Sequence, residues 1–168
     1  MKRSARSITV GIGFLAALLA SGMQPFSLAA EEPSDQEAPV VVVDFGTATT
    51  FDLVNAAGEY AGGIIAPGIL ISAEALFAHA SRLYRVDVRR PADLIGRNTA
   101  GAMQAGIYFG YIGLVDGILE RLQQEVPGLR EIVATGGQAE LIASGSRFIR
   151  KTEPLLTMIG LKVIYDRN

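Results

Sequence analysis

Residues 40–46 read VVVVDFG: four consecutive valines, then an acid, an aromatic and a glycine. Four β-branched side chains in a row favour extended backbone over helix. The run has no apolar–polar alternation, so it predicts a strand buried on both faces. Its end is chemical rather than apolar. Gly46 lets the backbone turn tightly and leaves room for a phosphate to approach main-chain N–H groups. Asp44 offers a hard oxygen ligand for a cation that neutralises phosphate charge. Thr47, Thr49 and Thr50 add hydroxyl donors immediately downstream. An ordinary Asp-Gly turn would carry the same letters, and the stretch ATGG (134–137) weighs against that reading, because it repeats the logic at a second strand end.

Around this strand the pattern predicts a second strand over Thr49 to Asn55, a turn at 56–58 and a third strand over Tyr60 to Ala66. Tight connections make the three an antiparallel meander. Pro67-Gly68 stops it. A helix is expected with Ser72 as its N-cap, running to about Leu83. Residues 84–98 read as a loop with a short strand at Arg85 to Val88. Thr99 opens a long helix that ends before Pro127-Gly128, with Thr99 or Asn98 able to cap it. EIVATGG (131–137) is a further buried strand, AELIA a short helix, and PLLTMIGLKVIYDR a helically spaced closing segment. A βββ meander followed by helices and a strand is an α/β arrangement with a mixed sheet. The order resembles an RNase H-like half-domain, as in the actin, sugar kinase and heat-shock ATPase superfamily.

Composition narrows the chemistry. The 168 residues suit one domain with an appendage, and 49% hydrophobic residues suffice for a core. No cysteine is present, which excludes disulfides and thiolate metal sites, and His79 alone cannot form a multi-histidine centre. His79 is not expected to be catalytic. Asp52 and Asp116 are read by default as ordinary polar residues. A net charge of −2 argues against a nucleic-acid partner held by a basic field.

Residues 1–30 have the layout of a secretory signal peptide. Lys2, Arg3 and Arg6 precede the apolar run Ile8 to Ala20, and Ser27-Leu28-Ala29 supplies small residues for cleavage. The run is short for a membrane span, so no stable anchor is expected. Residues 31–39, EEPSDQEAP, read as an acidic linker, and residues 40–168 as the folded domain. Cleavage after Ala29 would remove three cations and no acids, leaving 12 basic and 17 acidic residues and a net charge of −5.

Two further features stay open at this point. Gly62 to Gly68, GGIIAPG, is either a structural bend or a ligand contact. Gly106, Gly110, Gly113 and Gly117 lie along one helix, where each glycine costs about 1 kcal/mol relative to alanine. Four of them imply a very close neighbour, either another helix or a partner subunit.

VVDFGTATTFD, GGIIAPG, ISAEALF, IGRNT, AMQAGIYFGYIGLVDGI and ATGG, in this order across residues 40–168, together resemble the C-terminal half of type III pantothenate kinases. Each piece alone is weak, and the combination is specific. The resemblance implies ATP-dependent phosphorylation of pantothenate to 4'-phosphopantothenate, the first step of coenzyme A biosynthesis. It also implies a cytoplasmic homodimer that uses ATP with Mg and a potassium or ammonium ion. It matches Asp44 to the monovalent-cation ligand, Thr47 (with Gly46) to ATP-phosphate contacts, and Thr99 to a pantothenate contact near the dimer interface. The family's opening Asp-x-Gly-Asn-Thr phosphate loop has no counterpart here. Neither does its Gly-x-Asp-Arg segment, which carries the catalytic base. No catalytic residue is therefore assigned, and the chain is expected to be a truncated kinase of impaired activity. The alternative is a non-catalytic remnant serving as a binding or dimerisation module, exported if the signal-like segment functions.

Overall fold

The computed structural model describes residues 38–167; the signal-like segment and most of the acidic linker lie outside them. Strand β1 is Val40–Phe45, β2 Ala48–Val54 and β3 Tyr60–Pro67. Helices α1 (Ile69–His79) and α2 (Thr99–Glu125) follow. Strand β4 (Glu131–Thr135), helix α3 (Ala139–Ala143), strand β5 (Lys151–Thr152) and helix α4 (Leu156–Arg167) complete the order. The sheet runs β3-β2-β1-β4-β5. The β1–β2 and β2–β3 pairs are antiparallel, and β1–β4 and β4–β5 are parallel. The architecture is thus the mixed-sheet α/β half-domain that the sequence predicts, with the meander on one side of β1.

The valine run lies at the centre of the sheet because both of its faces are covered. Val41, Val43 and Phe45 join Phe51, Ile132 and Ala134 in one core with Tyr111, Val115 and Leu119 of α2 and Ile142 of α3. On the opposite face, Val42 and Val133 pack against Leu156 of α4. By length and hydropathy α2 could cross a membrane, but Tyr111, Val115 and Leu119 seat it against the sheet as a core helix.

Three local expectations need correction. Helix α1 starts at Ile69, not after Ser72; Gly68 is its N-cap position. A Cβ on Gly68 would lie 2.6 Å from the Gly46 carbonyl oxygen, so only glycine fits where the helix leaves β3. The Ser72 hydroxyl instead donates back to the Gly68 carbonyl at 2.9 Å. The helix ends at His79, not Leu83, and residues 85–88 form no strand. The third correction is β5. Two residues are too few for a periodic pattern, and the strand exists because β4 offers it a parallel edge. At α2, Asn98 is the cap, accepting the Gly101 N–H at 2.8 Å.

Asp116 is a structural residue. It is 4% exposed. It accepts the Ser146 hydroxyl at 2.6 Å, the Arg147 N–H at 3.1 Å and the Arg147 Nε–H at 3.2 Å. The carboxylate thereby ties α2 to the segment that leads into β5. Asp116→Ala strands the buried Ser146 hydroxyl and the part-buried Arg147 N–H and is expected to cost about 2–4 kcal/mol in urea unfolding. Asp166→Ala, which breaks an exposed pair with Lys162, should cost less than about 0.5 kcal/mol. Equal effects would contradict this assignment.

Candidate functional site

The site follows from the parallel pairing of β1 and β4. Asp44 lies opposite Thr135, so both strands end at the same level. Beyond β1 the chain turns through Gly46-Thr47 into β2, and beyond β4 it passes through Gly136-Gly137 into α3. Gly136 has φ +91, a left-handed conformation that favours glycine. A Cβ there would lie 2.7 Å from the Phe45 nitrogen and would also strike the Asp44 carboxylate. The Gly136 turn therefore packs against the Asp44–Phe45 end of β1, where the Gly46-Thr47 turn begins. Clefts outside the carboxyl ends of parallel strands are where α/β sheets receive ligands.

The tip of the hairpin is held from behind. Gly46 N–H donates to the Ala48 carbonyl and Gly68 N–H to the Thr47 carbonyl, both at 3.1 Å. Gly46 and Thr47 remain exposed. Among the described residues the Thr47 hydroxyl has no protein partner. The other two threonines do not face outward with it. Thr49 is buried and its hydroxyl bonds to that of Tyr111. Thr50 Oγ1 donates to Asp52 Oδ2 at 2.8 Å.

Asp44 and Asp52 project from neighbouring strands on one sheet face. Asp44 is half-buried, and burial raises its pKa above the ordinary carboxylate value. Burial also raises that of Asp52, which is 3% exposed. Hydrogen bonds from Thr50 and Tyr60 oppose this, and the nearby Asp44 charge adds to it. Among the described residues no lysine or arginine pairs with either acid. A half-buried carboxylate with no internal partner, beside two open glycine turns, fits a cation ligand. Among the described residues no cluster of three acidic or histidine side chains surrounds it, so they supply few ligands.

The other predicted positions separate. Thr99 is exposed at the N-terminus of α2, twelve residues from Tyr111, or about 18 Å along the helix axis. It does not join the hairpin within one chain. His79 is exposed at the end of α1. Gly106, Gly110 and Gly113 face open space, so among the described residues no other helix accounts for them. Gly106 and Gly110 border a groove of about 230 Å³ between α1 and α2, with Ile69, Ala73, Tyr111 and Leu114. Sequence reasoning missed Gly68 and Tyr111. Gly68 reads as the stop of the meander and part of a bend, without its contact to the hairpin, and Tyr111 as one more apolar position of a long helix.

Fold and site together define an α/β half-domain with two glycine turns at the carboxyl ends of neighbouring parallel strands. The type III pantothenate kinase family matches residues 27–121. A type III pantothenate kinase of Koribacter versatilis is 59% identical over 130 residues, covering 77% of this chain and 47% of that protein. One from Pelobacter propionicus is 57% identical over 129 residues, covering 77% and 51%. The chain thus spans about half the length of these curated relatives. Among solved structures, a Baf family protein from Campylobacter jejuni is similar with a TM-score of 0.53 and 23% identity. It covers 80% of this chain and 60% of that one, a likeness of fold. The chain belongs to the type III pantothenate kinase family.

The raised pKa of Asp44 has a thermodynamic consequence. A carboxyl whose folded pKa exceeds its unfolded value favours folding at low pH, and that contribution is lost as pH rises through the folded value. Asp44→Asn removes the buried charge. It is therefore expected to raise the melting temperature at pH 7, with the gain shrinking toward about pH 4, the ordinary aspartate range. Calorimetry across this range checks it, and a lower melting temperature for the variant at pH 7 would contradict it.

Proposed function

We propose that this chain carries the phosphate- and cation-binding side of a type III pantothenate kinase, phosphorylating pantothenate with ATP and Mg. The observation that supports this reading is the packing of Gly136 against the Asp44–Phe45 end of β1, next to the exposed Gly46-Thr47 turn, with Asp44 unpartnered among the described residues. In it, the Gly46 and Thr47 main chain and the free Thr47 hydroxyl receive ATP phosphate oxygens. Asp44 holds a potassium or ammonium ion, which would supply positive charge beside the phosphates. Phosphoryl transfer relies chiefly on such positioning and charge neutralisation. No base is assigned to a residue of this chain. Residues 40–168 are the family domain in this reading, and the chain acts in the cytoplasm.

Thr99 is proposed to contact pantothenate where a second copy docks. The glycine-lined groove supports that docking, since Gly106, Gly110 and Gly113 meet nothing among the described residues of their own chain. Leu70, Ile71, Leu76 and Leu114 expose further apolar surface on the same two helices. Sedimentation equilibrium should show a dimer, and a monomer at all concentrations would remove this part.

Calorimetric titration with Mg-ATP tests the central part. Binding should require potassium, and Asp44→Asn should abolish that dependence. Nucleotide binding indifferent to both potassium and the substitution would overturn the assignment. A pantothenate-dependent transfer assay separates the two functional readings. Turnover supports the kinase; nucleotide binding and dimerisation without turnover support a binding or dimerisation module, which the half-length match to the relatives also allows.

A further inference from the structure

Tyr111 lies midway along α2 and is 5% exposed. Its ring walls the α1–α2 groove, and its hydroxyl reaches the junction of β3 and α1. There it donates to the Pro67 carbonyl at 3.2 Å and pairs with the Thr49 hydroxyl. One phenol has one proton and two lone pairs. With the proton on the Pro67 oxygen, the hydroxyl accepts the Thr49 O–H.

Both partners lie beside the exposed hairpin. Thr49 lies two residues beyond Thr47 on β2. Pro67 pairs with Ala48 at the end of β3. Between Pro67 and Ile69 stands Gly68, whose N–H backs the Thr47 carbonyl and whose missing side chain makes room for the Gly46 carbonyl. A phenylalanine would fill the same space in the core. The hydroxyl adds a lock on β2, which leaves the hairpin, and on the end of β3 paired beside it.

We propose that Tyr111 is a positioning residue for the Gly46-Thr47 hairpin, fixing from behind the main-chain groups that face the ligand. The inference rests on the reading of that hairpin as the phosphate side of the site, and deepens it. Tyr111 touches no substrate; it acts through Thr49, Pro67 and Gly68.

Amide hydrogen exchange of the full nucleotide-free chain, read by NMR, tests the lock. In Tyr111→Phe, the Gly46 and Gly68 amides should exchange about tenfold faster, as loss of a buried hydrogen-bond network predicts. Amides of Val42 and Val133, in the middle of the sheet, should keep their wild-type rates. Thr49→Val should give the same local signature. Unchanged exchange at Gly46 and Gly68, or equal acceleration through the whole sheet, would overturn the proposal, the latter because it marks a merely structural tyrosine. In potassium buffer, Tyr111→Phe should also weaken Mg-ATP binding about fivefold or more, and unaltered affinity would overturn its role at the site. A wild-type chain that binds no nucleotide would count against the phosphate reading alone. The exchange pattern would then still uphold or overturn the positioning of the hairpin by Tyr111.

Discussion

The parallel pairing of β1 with β4 is the contact on which the rest of the structure depends. Antiparallel neighbours end at opposite levels, but these two strands end together, Asp44 beside Thr135. That registers two glycine turns from distant parts of the chain against each other. The closeness of Gly136 to Phe45 leaves no volume for a side chain. The pairing in turn depends on the valine run, whose β-branched side chains are buried on both faces. Core and site are therefore parts of one strand. Three residues of packing end in a carboxylate, and the sheet that buries the valines also partly buries Asp44.

The two faces of the sheet divide the work. One carries Val41, Val43, Phe45, Phe51, Ile132 and Ala134 and is sealed by helices. The other carries Val42 and Val133 under Leu156. Further along, the same face presents Asp44, Thr50 and Asp52. Two carboxylates on one face without a basic partner disfavour the folded state at neutral pH. Such a cost is common where a site is arranged for a charged ligand. A bound cation would offset it.

Much of this was legible from residues alone, where the signal was local. The valine run, the meander, the long helix and the paired glycine turns all follow from period, turn chemistry and β-branching. What escaped was set by contacts between distant segments. Helix α1 starts at Ile69 because Gly68 meets the Gly46 and Thr47 carbonyls, a contact no local propensity encodes. Strand β5 exists through its partner strand. Thr49 and Thr50 read as additional phosphate donors, yet adjacent strand residues point to opposite faces, so they could not both flank Thr47. Tyr111 had no local signal, since a buried tyrosine and a purely apolar position look alike in a helical period. The helix glycines were legible as a packing requirement, but among the described residues nothing meets Gly106, Gly110 or Gly113.

The account's central claim is that the two strand-end turns form one phosphate-facing surface. An amide NMR titration of the chain with Mg-ATP in potassium buffer tests it most directly. The account predicts that the largest shifts fall together on Gly46, Thr47, Gly136 and Gly137, with a common midpoint. Shifts confined to residues 139–167, or absent from both turns at saturation, would contradict it.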